Sequence, residues 1–101
     1  MTRRRQRACV ALAVAALCGC GPIVYVDQVT THAQSSVDAA AAADCARLSP
    51  YWYTRATMLL HLAREEAARA DFQGANHFGH LADQAATEAL REVKQDKAAK
   101  P

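Results

Sequence analysis

The side chains with the most reactive chemistry in this sequence are its four cysteine thiols. Two of them lie in the segment Leu17-Cys18-Gly19-Cys20, where small residues directly precede Cys20. Small residues before a peptide bond allow the backbone to enter a peptidase, and a thiol is the side-chain nucleophile that alkylation converts into a thioether. The segment therefore has the residue types that cleavage before Cys20 and alkylation of its sulfur would require.

The residues before Cys20 have the pattern of an export signal. Four arginines within residues 3–7 precede an uninterrupted apolar run at 8–17, which is typical of the basic and apolar regions of a signal peptide. A membrane-spanning helix needs about 20 apolar residues, so we do not expect a permanent transmembrane anchor here. The boundary at Leu17–Cys20 resembles the bacterial lipobox. This resemblance implies a covalent lipid on Cys20, with two or three acyl chains that hold the protein in a bilayer.

The residue after the lipobox and the remaining charge indicate where the processed chain resides. Gly21 stands where lipoproteins retained in the inner membrane carry aspartate, which by resemblance implies the outer membrane, facing the periplasm. The alternative is an ordinary signal peptide that a cysteine follows by coincidence. Removal of residues 1–19 leaves eight basic against ten acidic residues, a net charge of about −2. This balance excludes nucleic acid as a partner, because dense phosphate contacts require a basic surface.

The histidines invite a metal-site hypothesis, because His77 and His80 are one helical turn apart and imidazole is the commonest metal ligand. At about 100° per residue, however, His61 and His80 lie nearly opposite the apolar stripes of their helices. We therefore expect solvent-facing histidines, with no metal site and no cofactor besides the lipid. The sequence also lacks G-x-S-x-G, H-E-x-x-H, C-x-x-C and a phosphate-binding glycine loop, so we do not expect an enzyme.

The three consecutive aromatic residues Tyr51, Trp52 and Tyr53 are a candidate partner-binding site. On a helix they span about 200°, so they cannot all enter one narrow core stripe. We expect Trp52 to anchor the core with the tyrosines at its flanks; the alternatives are a docking patch for a protein or contact with lipid headgroups. Cys45 lies on the flank of its helix. It is either a small hydrophobe in a groove or a candidate for an intermolecular disulfide.

The spacing of apolar residues predicts the helices that position these side chains. Gly21-Pro22 should break any helix that continues from the signal, and Asp27 is the expected N-cap of a helix that runs to about Arg47. Ser49-Pro50 predicts the start of a second helix. A third helix, close to a strict heptad, begins near Asp71. The apolar positions are Val29, Ala33, Val37 and Ala40, then Trp52, Ala56, Leu59, Leu60, Ala63, Ala67 and Ala70, then Ala75, Phe78, Ala82, Ala85, Ala89 and Val93.

These helices predict an all-α fold, either a small three-helix bundle or a helical hairpin with one flanking helix, preceded by a signal-peptide helix. We expect a signal peptide at 1–19, a lipidated N-terminus and short tether at 20–26, an alanine-rich helical domain at 27–97 and a C-terminal tail at 98–101. The 19 alanines among the 82 residues from Cys20 onward predict a thin core with about 3–5 kcal/mol to spare. Self-association or docking to a partner would relieve that weakness.

Part of the chain resembles a family of small bacterial envelope lipoproteins that have a helical domain of unknown function and are often encoded beside OmpA-like proteins. Ser49 departs from the family pattern, which favours alanine before the proline. The Asp71-Phe72-x-x-Ala75 turn also looks like half of a tetratricopeptide unit, in one copy. The resemblance covers roughly residues 24–93 and lies in Pro50-Tyr51-Trp52, Ala56, Leu60, Ala63-Arg64-Glu65-Glu66-Ala67, Asp71-Phe72, Ala75 and Ala82.

The resemblance implies a location and a fold, and it brings no catalytic residues. We expect a membrane-anchored, non-catalytic lipoprotein with a structural, assembly or adaptor role. Its partners would be the lipid bilayer, through the acyl chains, and an envelope protein or a second copy of the chain. The alternative is a helical binding module that captures a peptide or small ligand.

Overall fold

Four helices follow one another in the computed structural model, which describes residues 2–100 and, for residues 15–24, the backbone but not the side chains. They are α1 (Thr2–Ala42), α2 (Cys45–Leu48), α3 (Pro50–Ala68) and α4 (Phe72–Ala99). Between residues 2 and 100 there is no strand. Helices α3 and α4 form an antiparallel hairpin, and the C-terminal half of α1 packs along both. The predicted all-α class and three-helix bundle are confirmed.

Helix α1 is continuous, which corrects two predictions. Its backbone passes through Gly21-Pro22 without a break, and Asp27 lies exposed inside the helix instead of capping it. A proline inside a helix costs about 3 kcal/mol, because it removes one backbone hydrogen bond and crowds the preceding turn. The proline lies between an alanine-rich segment, which favours a helix, and residues from Val26 onward that are buried against the bundle. The helix can therefore propagate from both sides.

The first helix ends at Ala42 and not near Arg47, because the chain turns at Asp44. Asp44 has a left-handed backbone, with φ 63° and ψ 30°, a conformation that aspartate tolerates better than most residues. Its carboxylate accepts a hydrogen bond from the Arg47 guanidinium, with an Nε–Oδ2 distance of 2.8 Å. The turn directs the Cys45 side chain into the core.

Helix α3 begins at Pro50, as the sequence predicts, with Ser49 in the N-cap position. The Ser49 hydroxyl does not cap the helix; it donates a hydrogen bond to the Glu92 carboxylate of α4, with an Oγ–Oε2 distance of 3.2 Å. Ser49 is only 1% exposed. A buried hydroxyl needs a partner, so this bond connects the start of α3 to the last third of α4.

The α3–α4 turn is held by backbone hydrogen bonds at one end and by a side-chain cap at the other. Ala70 has a φ of 61°. The Ala70 N–H donates a hydrogen bond to the Ala67 carbonyl at 3.0 Å, and the Asp71 N–H donates one to the Glu66 carbonyl at 2.9 Å. This pair is a Schellman motif. Asp71 then caps α4, because its Oδ1 accepts a hydrogen bond from the Gly74 N–H at 3.0 Å.

The core is thin and consists mainly of alanine, as predicted. Small side chains let the three helix axes approach closely, but each buries little apolar area. Larger residues contribute at only a few positions. The alanines with no exposed surface are Ala33, Ala40, Ala56, Ala63, Ala75, Ala82, Ala86 and Ala89, and the larger buried side chains include Val26, Val37, Leu59, Leu60 and Val93.

Candidate protein-contact surface

The aromatic residues lie at the end of the bundle opposite to the α3–α4 turn. Val26 and Asp27, where α1 joins the bundle, share a small surface groove with Phe72 of that turn. Helix α3 runs back from the turn for 19 residues, or about 29 Å at 1.5 Å per residue. Its first turn, with Tyr51 and Trp52, is therefore at the far end of the bundle from the Cys20 segment.

Tyr51, Trp52 and Tyr53 are distributed over three directions around α3. Tyr51 is 66% exposed, whereas Trp52 and Tyr53 are partly buried and pack against the core. The Tyr51 and Trp52 rings meet edge to face, with centroids 5.0 Å apart and planes at 80°, an arrangement that aromatic pairs favour. The expectation that Trp52 contacts the core while a tyrosine stays exposed is confirmed; Tyr53 is closer to the core than a flanking position implies.

A groove between α3 and α4 begins at these aromatic rings. It has a volume of about 560 Å³, and we call it the aromatic groove. Charged side chains at its rim can form hydrogen bonds with a partner, while the rings and a leucine provide an apolar floor. The aromatic groove is lined by Tyr51, Trp52, Arg55, Leu81, Gln84, Ala85 and Glu88.

A second groove lies on the solvent side of α3, and the sequence reasoning missed it. Its volume is about 530 Å³, and its lining includes Pro50, Tyr51, Met58 and Leu62. Met58 is 61% exposed although it is a large apolar residue. The sequence signal was available, because residues 51, 58 and 62 repeat at spacings of seven and four. It was overlooked because each helix was assigned a single apolar stripe.

The histidines lie on the surface. His61 contacts Glu65 within α3, with an Nε2–Oε1 distance of 2.9 Å, and His77 and His80 are exposed. His32 of α1 lies 3.4 Å from the Asp83 carboxylate of α4, which also accepts a hydrogen bond from the Ser36 hydroxyl. The described part of the chain holds no cluster of three or more metal-ligating side chains. The solvent-facing positions predicted for His61 and His80 are confirmed.

Cys45 lies inside the core and not on a reachable flank. Its side chain has no exposed surface, and burial, followed by the nearby Asp44 carboxylate, raises the pKa of the Cys45 thiol above its ordinary value. Both effects keep the thiol protonated and unreactive. The position corresponds to the small-hydrophobe interpretation. An intermolecular disulfide through Cys45 stays a prediction, and it would require this part of the bundle to open.

The lipobox side chains, Leu17, Cys18, Gly19 and Cys20, lie outside the described residues. Among the residues that the structure describes, no helix combines the length and the hydropathy that crossing a bilayer requires. No protein-family model matches the chain, and no curated protein or solved structure is significantly similar to it. The functional interpretation of the candidate site therefore rests on the chemistry of its own residues.

Proposed function

We propose that this protein is a membrane-anchored, non-catalytic lipoprotein of the bacterial envelope with a structural, assembly or adaptor role through protein contacts. The observation that carries the proposal is the aromatic groove at one end of the bundle, in a chain whose N-terminal segment has the pattern of a lipobox. The acyl chains on Cys20 would hold the protein at the outer membrane, facing the periplasm. The groove would bind an envelope partner.

The chemistry of the aromatic groove favours a protein over lipid headgroups. Trp and Tyr are enriched among the residues that dominate binding energy in protein interfaces. The rim carries both Arg55 and Glu88, and the chain from Cys20 onward has a net charge of about −2. An anionic bilayer surface attracts clusters of basic residues, and this rim has no such cluster.

A module that captures a ligand between its helices is less well supported. The seam between α3 and α4 is closed by alanines without exposed surface, among them Ala56 and Ala63 on one side and Ala82 and Ala86 on the other. A ligand could enter only if the helices separated. The grooves on the surface instead offer a partner an apolar floor with a polar rim, as a protein interface does.

Photo-crosslinking in intact cells tests the proposed contact. A photoreactive amino acid at Gln84, on the rim of the aromatic groove, should form an adduct with an envelope protein, and the same probe at the exposed Gln95 should not. Tyr51→Ala should weaken the Gln84 adduct without unfolding the bundle, because Tyr51 is exposed. Trp52→Ala should abolish it. Absence of any adduct from Gln84 in a folded, exported protein would contradict the proposal.

A further inference from the structure

Helix α3 has apolar residues on two of its faces. One face is buried in the bundle, and the other is the outer face of the helix. Ala56, Leu60 and Ala63 are buried against the rest of the bundle. On roughly the opposite side, six residues repeat at alternating spacings of four and three, which keeps them on one face of a helix. We call them the outer stripe: Tyr51, Arg55, Met58, Leu62, Glu65 and Arg69.

We infer that the outer stripe binds a second copy of this chain, with the two α3 helices antiparallel. Its middle is apolar, with Met58 at 61% exposure beside the partly buried Leu62. Single exposed apolar residues are common on protein surfaces. Here, however, Tyr51, Met58 and Leu62 line one continuous groove of about 530 Å³, and such a rimmed apolar surface is typical of an interaction site.

The order of residues along the outer stripe is self-complementary in the antiparallel orientation. When Met58 packs against Leu62 of the second copy, the same register places Arg55 opposite Glu65. It also places Tyr51 opposite Arg69 of the second copy, a pair suited to a cation–π contact. Each of these pairs occurs twice because of the two-fold symmetry. All six positions of the outer stripe thus meet a complementary residue.

The parallel orientation brings like charges together. It would place Arg55 against Arg55 and Glu65 against Glu65 on either side of the apolar middle, which is unfavourable. The charged groups are accessible for pairing between copies. Among the residues the structure describes, Arg55 forms no ion pair. Glu65 contacts His61 yet keeps 43% of its side chain exposed, and Arg69 is 70% exposed beside Glu66.

This inference does not rest on the proposed lipid anchor, but the two together restrict the geometry. An antiparallel dimer places the two Cys20 residues at opposite ends. Both chains can then be anchored in one leaflet if the dimer lies along the bilayer and α1 bends between Cys20 and the bundle. Gly21-Pro22 is the point where a bend costs least, because the proline already lacks a helical hydrogen bond.

Charge reversal tests the antiparallel pairing in the full chain, purified in a mild detergent and studied by sedimentation equilibrium. We expect a dimer that Arg55→Glu or Glu65→Arg weakens by roughly tenfold or more. The double variant with both changes should restore it, because the opposite charges again meet. Ala68→Glu, at an exposed position off the outer stripe, is the matched control and should leave the dimer unchanged. A monomeric parent, or a double variant weaker than either single one, would overturn the inference.

Disulfide crosslinking tests the register independently, in a background where Cys9, Cys18 and Cys45 are replaced by alanine. A mixture of the Met58→Cys and Leu62→Cys variants should form a crosslinked dimer faster than either variant alone, since the inferred register brings residue 58 to residue 62. The background without an engineered cysteine is the control. Faster crosslinking within each single variant would indicate parallel helices and overturn the inference. A monomer that binds phosphatidylglycerol vesicles, and loses that binding with Met58→Glu, would also overturn the inference, because the outer stripe would then contact lipid.

Discussion

Ala70 has a left-handed backbone where most helices that end in this way have glycine. Its φ of 61° brings the alanine Cβ close to the neighbouring carbonyl, which costs roughly 1 kcal/mol or more. We therefore expect Ala70→Gly to raise the free energy of unfolding by about 0.5–1 kcal/mol, a few degrees in Tm, in thermal denaturation followed by circular dichroism. Ala68→Gly, inside α3, should lower Tm instead. A lower Tm for Ala70→Gly would contradict the assigned turn.

The buried Cys45 thiol should make stability sensitive to alkaline pH. Burial raises its pKa above the ordinary value of 9.0, so the unfolded chain loses this proton at a lower pH than the folded one. The stabilisation is therefore complete below pH 9 and declines as the pH rises above 9. At pH 7, we expect Cys45→Ala to cost about 1 kcal/mol through lost packing.

Urea denaturation at pH 7 and pH 10 measures this effect. The destabilisation caused by Cys45→Ala should be smaller at pH 10, because the parent protein has by then lost the contribution of its protonated thiol. The variant serves as the control for every effect of alkaline pH that does not involve Cys45. An equal difference at both pH values would show that the thiol ionises as readily in the folded protein as in the unfolded chain.

At the level of helices, α1 and α4 pack tightly against each other at Gly79. A Cβ added to Gly79 would lie 2.7 Å from Cγ1 of Val29, and valine is too stiff to move aside without cost. We expect Gly79→Ala to destabilise the bundle by about 1 kcal/mol or more, despite the higher helix propensity of alanine. In a Val29→Ala background the same change should be neutral or stabilising. A stabilising effect in the parent protein would show that α1 sits farther from α4.

The helices were predictable where local signals coincide with tertiary packing. Ser49-Pro50 and Asp71 correctly marked the starts of α3 and α4, since a proline and a capping carboxylate act within a few residues. The continuity of α1 was missed because Gly21-Pro22 is a helix-breaking signal only where the flanking segments do not support a helix. Cys45 was misplaced for a different reason. The left-handed Asp44 rotates the next residues relative to the wheel of α1.

The candidate site was predictable only in part. The three aromatic residues were recognised from their types and adjacency, but the aromatic groove needs Leu81 and Glu88 of α4, which only the helix packing brings to Trp52. The outer stripe was not predicted, because a single apolar face was assigned to each helix. The alanines identify the buried side of α3, and Met58 and Leu62 were not recognised as a second apolar face.

For the whole molecule, the thin core and the exposed surfaces have one physical origin. Alanine packs the three helices closely but buries little area, and two large apolar side chains of α3, Tyr51 and Met58, remain exposed at the surface. A partner in the aromatic groove, or a second copy on the outer stripe, would add apolar burial that the bundle lacks by itself. Both proposals therefore predict a higher Tm for the assembled protein than for the isolated chain.

The proposed anchor is tested most directly by mass spectrometry of the N-terminal peptide from protein extracted from its native membranes. The account predicts a peptide that begins at Cys20, with diacylglycerol in thioether linkage to its sulfur. Cys20→Ser should abolish the modification and leave the precursor uncleaved. A peptide that begins at Met1, or at Cys20 with an unmodified thiol, would contradict the proposed anchor.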